Sequence, residues 1–353
     1  MKGPCRRNMD VLRHKTAFAA ALLLAAPVSA HHSDAGVDME STVTIEGTVQ
    51  EFAWRNPHVY VIVESLQSGE PVDWELQMGP VHFHTRMGWT RDSLLPGDQV
   101  SIQANVFANG RPYGLLRSLE KEGLSVGEGL AAVFAAQEGE GDTPPATSLA
   151  GIWRMNVSKW KRYPGGFDGF YQAQLTLTDA ALAAQAAYDP LSAENPESTC
   201  AGRPTPSMLD STQIYMMEID LSQQDEVVII RGEEGHTRMV YMDGREHPDP
   251  GERFAMGHSI GWWQDDTLVV DTTNFEDHRS PYQIGVPSSG QKHVIERYRL
   301  ALDGTYMDAM YILEDPEYLA RPLVINHELL PSPHLEMIYE ECDEVNAGRW
   351  LEN

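Results

Sequence analysis

"TVTIEGTVQEFAWRNPHVYVIVE", residues 42–64, is the stretch on which the fold turns. Apolar and polar residues alternate from Val43 to Ala53, the period of a half-buried strand, and the run stops at Asn56-Pro57. A second apolar run, Val59 to Val63, follows at once, and both are rich in β-branched and aromatic residues. The stretch therefore reads as strand, turn, strand. Beyond it, "SGEP" turns into "VDWELQM" (72–78), a short helical piece "GPVHFHTRMGW" (79–89) comes next, and "LLPGDQVSIQANVF" (94–107) and "RPYGLLRSLEKEG" (111–123) meet at the turn "ANG". Five strands with a helix between the third and fourth is the order of an OB-type barrel.

The composition then changes. Residues 127–148, "GEGLAAVFAAQEGEGDTPPATS", are rich in Gly, Ala, Glu and Pro without a sustained strand pattern, as in a linker. After it come about ten strand-like runs, among them "YQAQLTLT", "TQIYMMEI", "RFAMGHSIGWW", "TLVVDTT", "HVIERYRL", "PLVINHELL" and "LEMIYEE", with one helical stretch, "DAALAAQAAYDP". The expected fold class is mostly β: a small OB-like domain over 31–126, then a larger antiparallel barrel or sandwich of calycin type over 149–353.

The first fifteen residues carry five Lys/Arg against one Asp, and the apolar run "TAFAAALLLAAPV" precedes the small-residue triplet Val28-Ser29-Ala30. Residues 1–30 thus read as a secretory signal, cleaved after Ala30. The apolar run is shorter than the ~20 residues a bilayer span needs, so a soluble periplasmic or secreted product without stable membrane insertion is expected. Cleavage moves the formal charge from −26 to −30, a surface that repels phosphate backbones and excludes nucleic acid as a partner. Cys5 leaves with the signal. Cys200 and Cys342 remain, an even pair that predicts one disulfide in an oxidising compartment. No CxxC, Walker motif, Gly-rich phosphate loop or HExxH occurs.

"AHHS" at the cleavage point, "TVTIEGTVQEFAWRNPHVYVIVE" and "LLPGDQVSI" resemble a family of exported bacterial domains of unknown function that share a His-His start and an Asn-Pro-His turn. "RMVYMDGREHPDP", "MGHSIGWWQDDTLVVDTTNF", "HVIERYRL" and "YEEC" are similar to a second set of secreted, uncharacterised β-rich domains. The two resemblances imply an exported two-domain protein and name no reaction.

Five histidines fall between residues 31 and 84: His31, His32, His58, His82 and His84. Cleavage would give His31 a free α-amine beside its imidazole, a nitrogen pair that suits Cu(II), and an amine of pKa about 7.7–8.0 yields its proton to a metal near neutrality. His58, His82 and His84 are the candidates for the further imidazole. His82 and His84 chelate together only on a strand, because on a helix positions i and i+2 point about 200° apart. His32 is weaker, since the amino-terminal copper motif needs histidine third and Ser33 stands there. The same histidines also serve as a permissive start and as turn residues.

In the large domain, alternation puts His258 with Met256, Ile260 and Trp262, Asp271 with Val269, and His327 with Ile325 and Leu329. All three polar groups are expected inside the barrel, as an acid/base set or as satisfied core residues. Gly257-His258-Ser259-Ile260-Gly261 lacks the strand-to-helix turn of a nucleophile elbow. Trp153, Trp160, Trp262 and Trp263 would line a cavity for a small hydrophobic ligand. The sequence is silent on protein partners. The first functional expectation is an exported binding or accessory protein with copper as its cofactor; the alternative is an enzyme acting on a hydrophobic small molecule through His258, Asp271 and His327.

Overall fold

The structure, a computed structural model, describes residues 36–122, 124–127, 137, 143–164, 166–201, 204–223, 226–233, 235–279 and 285–351. The expected signal segment with its expected cleavage point, His31, His32 and most of the expected linker lie outside them.

Strands β1 (Val43–Ala53), β2 (Tyr60–Gln67) and β3 (Glu70–Gln77) form an antiparallel meander. The β2–β3 hairpin turns on Ser68 and Gly69, both at positive φ (53° and 91°), as a two-residue loop matched to strand twist requires. Helix α1 (Val81–Arg86) leads to β4 (Gln99–Val106), which pairs with β1, and β5 (Tyr113–Lys121) pairs antiparallel with β4 and parallel with β3. That last pairing closes the five-strand barrel. A short β6 (Leu124–Gly127) extends β5. Ile45, Val49, Val61, Val63, Leu76 and Ile102 alternate inward and make the core the first stretch promised.

The larger unit is a closed nine-strand barrel in the order β10-β11-β12-β15-β16-β17-β7-β8-β9. Its strands are β7 (Gly151–Met155), β8 (Met217–Gln223), β9 (Val227–Gly232), β10 (Thr237–Tyr241), β11 (His258–Gln264), β12 (Thr267–Thr273), β15 (His293–Leu300), β16 (Met307–Glu314) and β17 (Leu323–Pro331). β13 (His278–Arg279) and β14 (Pro287–Ser288) form a separate ribbon. All barrel pairings are antiparallel except β10–β11, where the long connection Met242–Gly257 brings the chain back in parallel.

Two expected strands fail and a third is shortened. "YQAQLTLT" begins inside helix α2 (Gly166–Gln174), because Phe167, Phe170 and Tyr171 repeat at i, i+3, i+4 and turn one face toward the barrel core. "TQIYMMEI" starts in a helical turn and becomes strand only at Met217, and "LEMIYEE" is no strand. The expected helix is present as α3 (Asp179–Ala187), with Thr178 Oγ1 accepting from Ala181 N at 3.2 Å as its cap. A further short helix, α4 (Ser207–Asp210), carries Met208 and Leu209 into the barrel core beside Trp153, Leu268, Tyr298 and Leu329.

The C-terminal segment leaves the large barrel and docks on the small one. Trp350 is fully buried among Ala53, Tyr60, Phe107 and Tyr113. Arg111 donates to the carbonyls of Arg349, Trp350 and Leu351 at 3.0–3.1 Å, and Asp343 N donates to Asn56 O at 3.0 Å. The Cys200–Cys342 disulfide is formed, with Cα atoms 5.7 Å apart, and ties this segment to the loop before α4. A second tie between the barrels is ionic: Arg86 of α1 pairs with Glu233 at the end of β9, the side chains being 7% and 0% exposed.

Candidate functional site

The Asn-Pro-His turn is held from three sides. Asn56 Oδ1 accepts from Val81 N at 3.1 Å, fixing the entry to α1, and Asn56 Nδ2 donates to Glu340 O at 3.1 Å. Asn346 Nδ2 donates to His58 O. His58 is among the residues that line a cleft between the barrels, with His236, His278, Glu197, Tyr215 and the Cys200–Cys342 bridge. Its volume is about 90 Å³. That accommodates an ion with its ligands or a small fragment and falls well below the ~300–1,000 Å³ typical of drug-sized ligands.

His82 and His84 are on α1, the arrangement in which they diverge. His82 packs against Phe83 and Tyr215, with ring centres 4.6 and 4.7 Å away, and burial drives its pKa well below the usual imidazole value. His84 lies between Trp54 and Trp89, its Nε2 3.1 Å from Gly79 O, and burial lowers its pKa to about 4. Both therefore stay neutral as packed core residues. Among the described residues no three His, Cys, Asp or Glu side chains surround one point as a metal centre requires.

The three acid/base candidates are separated by the barrel wall. His327 faces inward as expected, and it is fully buried. Its Nε2 donates to Asp210 Oδ1 at 2.6 Å, and Tyr311 Oη donates to Asp210 Oδ2 at 2.9 Å. Burial raises the Asp210 pKa against the lowering pull of His327. Alongside sits a second buried set: Arg238 pairs bidentately with Glu296, and Tyr298 Oη donates to the same carboxylate at 2.7 Å. Sequence reasoning missed Asp210 because it lies on a helix, α4, inside a chain otherwise read by strand period.

His258 and Asp271 are on the outer face, correcting the expectation that they enter the lumen. On β11 the inward positions are Ser259 and Gly261, and on β12 Thr272 and Val270. Ser259 Oγ is buried 2.9 Å from Thr272 Oγ1, held as a core hydroxyl. Trp262 and Trp263 are 44% and 48% exposed, so of the four tryptophans only Trp153, with Trp160 packed against the core, belongs to the interior.

Outside the wall, His258 and Asp271 meet in one network. His258 Nδ1 is 3.0 Å from His247 Nδ1, His247 Nε2 is 3.5 Å from Asp271 Oδ1, and His293 Nε2 donates to the same oxygen at 2.9 Å. Glu314 Oε2 lies 3.5 Å from His293 Nδ1. Asp271 raises the His293 pKa; burial, then His247 and Arg245, lower that of His258. The Met242–Gly257 connection carries His247 into place. Asn274 pins it by donating to the carbonyls of Asp249 and Glu252 at 2.9 and 3.0 Å. Gly257 ends it at φ 73°, where a Cβ would stand 2.6 Å from both Phe275 and Thr272, so only glycine fits. His247 and His293 gave no signal in the sequence, lying in a turn-rich segment and at a strand start.

Residues 20–117 match the family of unknown function DUF6152. The match runs into β5 and so takes in the Asn-Pro-His turn and α1, while the large barrel lies outside it. The expected likeness to a domain family without assigned function holds for this part. The DUF6152 region therefore supplies one wall of the cleft, through Asn56, Pro57, His58 and Pro80. No curated protein matches the chain. Among the described residues no helix is long and apolar enough to cross a membrane.

Proposed function

We propose that the chain is an exported binding or accessory protein that holds a small ligand in the cleft between its barrels, and that Cu(II) is the ligand for which cleavage after Ala30 equips it. The observation that supports this reading is one small cleft whose walls carry His58, His236 and His278, residues that do not by themselves surround one point. Imidazole nitrogens are the donors copper takes most readily, and the α-amine and imidazole of His31 would complete the set.

The first described residue packs against a segment that leads into the cleft. Gly36 rests against Leu191 and Phe107, and the segment that follows Leu191 supplies Pro196, Glu197 and Cys200 to the cleft. Gly36 is the fifth residue after His31, a span of about 17 Å for extended chain. Titrating Cu(II) into protein that starts at His31, into a form longer by one N-terminal residue, and into His58→Ala tests the reading. Affinity should fall at least tenfold in both altered forms, and equal affinity in all three would refute it. N-terminal sequencing of the native product should read His-His-Ser-Asp.

The alternative, an enzyme working on a hydrophobic molecule within the large barrel, needs His258, Asp271 and His327 around one substrate. The first two lie outside the wall and the third is sealed inside, so binding is the better supported reading.

A further inference from the structure

We propose that the outer face of the large barrel carries a Zn(II) site, with His247 Nε2, His293 Nε2 and Asp271 Oδ1 as its protein ligands and solvent water completing the coordination. The inference is independent of the inter-barrel cleft and of its copper reading.

Two imidazole nitrogens converge on one carboxylate oxygen. His293 Nε2 lies 2.9 Å and His247 Nε2 3.5 Å from Asp271 Oδ1. Ligand atoms ~2.1 Å from one zinc ion stand about 3.0–3.4 Å apart at bond angles of about 90–109°, so both separations already match the ion to about 0.1 Å. As they stand, the three groups bond to one another rather than surround one point, because His293 Nε2 donates directly to Asp271. The ion takes the place of that shared proton, and rotation of the His293 side chain brings its Nε2 to the same spacing from His247. A second observation points to a ligand at this spot: His247 Nε2 is buried and has no hydrogen-bond partner, although it faces the carboxylate. Such a nitrogen is costly to leave unsatisfied, and a metal bond satisfies it.

The outer shell is of the kind a zinc-bound histidine uses. A ligating imidazole gives its other N–H to a carboxylate or similar acceptor, which fixes the ring and makes it more basic. His293 Nδ1 is 3.5 Å from Glu314 Oε2, directly opposite it on β16, and His247 Nδ1 is 3.0 Å from His258 Nδ1. The three ligands come from β12, the start of β15 and the connection pinned by Asn274, so each is positioned by its own element. Their side chains are 21–34% exposed, which leaves the open position to water. Asp271 and Glu314 place two negative charges here, the neighbouring Arg245 is paired with Asp243, and the chain carries −26, so this face attracts a cation. Two nitrogens among three donors exclude the hard cations calcium and magnesium, and three protein ligands with an open fourth position is an arrangement zinc adopts.

Zn(II) alone is titrated into the full chain against a chromophoric chelator. The native chain should show a site whose affinity falls at least a hundredfold in His247→Ala and in His293→Ala. Glu314→Gln leaves all three ligands in place at an exposed position, and it should weaken binding ~10–100-fold. His58→Ala should leave this zinc affinity unchanged, which separates the site from the inter-barrel cleft. Co(II) in place of zinc should give the strong visible absorption of a four- or five-coordinate ion in the native chain and lose it in Asp271→Asn. Matching far-UV circular dichroism of the metal-free proteins would tie the losses to the ligands. No zinc bound by the native chain, equal affinity in the native chain, His293→Ala and Glu314→Gln, or loss of the site in His58→Ala would overturn the proposal.

Discussion

Arg86→Met removes the cation from an ion pair that has almost no solvent. Glu233 is fully buried and Arg86 nearly so, and the carboxylate also accepts from Met216 N at 2.8 Å and Ile338 N at 3.1 Å. One side chain therefore joins α1, the start of β8 and the C-terminal segment. Breaking a buried pair by deleting one partner costs ~3–5 kcal/mol, because the remaining charge is stranded. Two backbone N–H donors still serve Glu233 after the change, which puts the expected loss near the lower end, about 3 kcal/mol. Glu233→Gln in the same background removes the stranded charge, so the double variant should recover ~1–2 kcal/mol of that loss. Urea unfolding followed by tryptophan fluorescence reads all three proteins, since Trp54, Trp74 and Trp89 report on the small barrel and Trp153 on the large one. A loss under about 1 kcal/mol for Arg86→Met, or strict additivity in the double variant, would show that the pair does not join the barrels energetically.

Replacing Cys200 and Cys342 together by serine should cost up to about 4–5 kcal/mol on the chain-entropy account, given a sequence separation of 142, with release of the C-terminal segment. Unchanged stability and unchanged Trp350 emission would contradict this. Lys292 is buried over the Phe275 ring at 4.2 Å, and burial lowers its pKa to about 7 while Asp315 pulls it back up. A folded-state value below the unfolded one means stability present above pH ~10.5 and lost as pH falls to about 7, on the order of 5 kcal/mol as an upper limit. Lys292→Met should abolish that slope and be more stable at pH 7; parallel pH profiles for the two proteins would refute it.

The residues that were legible in the sequence share a physical cause. Val43 to Val63 sit on strands with one face in a core, so burial imposes period two and the OB order could be read directly. The Cys200–Cys342 pairing followed from an even cysteine count in a chain expected to be exported and needed no geometry. β11 misled because its outward residues, His258, Ile260 and Trp262, are bulkier and as apolar as a core face, while the inward ones are Ser259 and Gly261. Small residues are needed there: a Cβ on Gly261 would stand 2.7 Å from Met242 and Val240. The outer face is in turn partly covered by the Met242–Gly257 connection, which a reading by local period cannot see. That cover is also what makes the outer histidine network. His258 and Asp271 come from neighbouring strands in a register the pattern implies, Ile260 opposite Asp271, but His247 reaches them only because Asn274 and Gly257 fix a loop of no regular period. The part of the site contributed by strands was therefore open to sequence reasoning apart from its facing, and the part contributed by the loop required the folded chain.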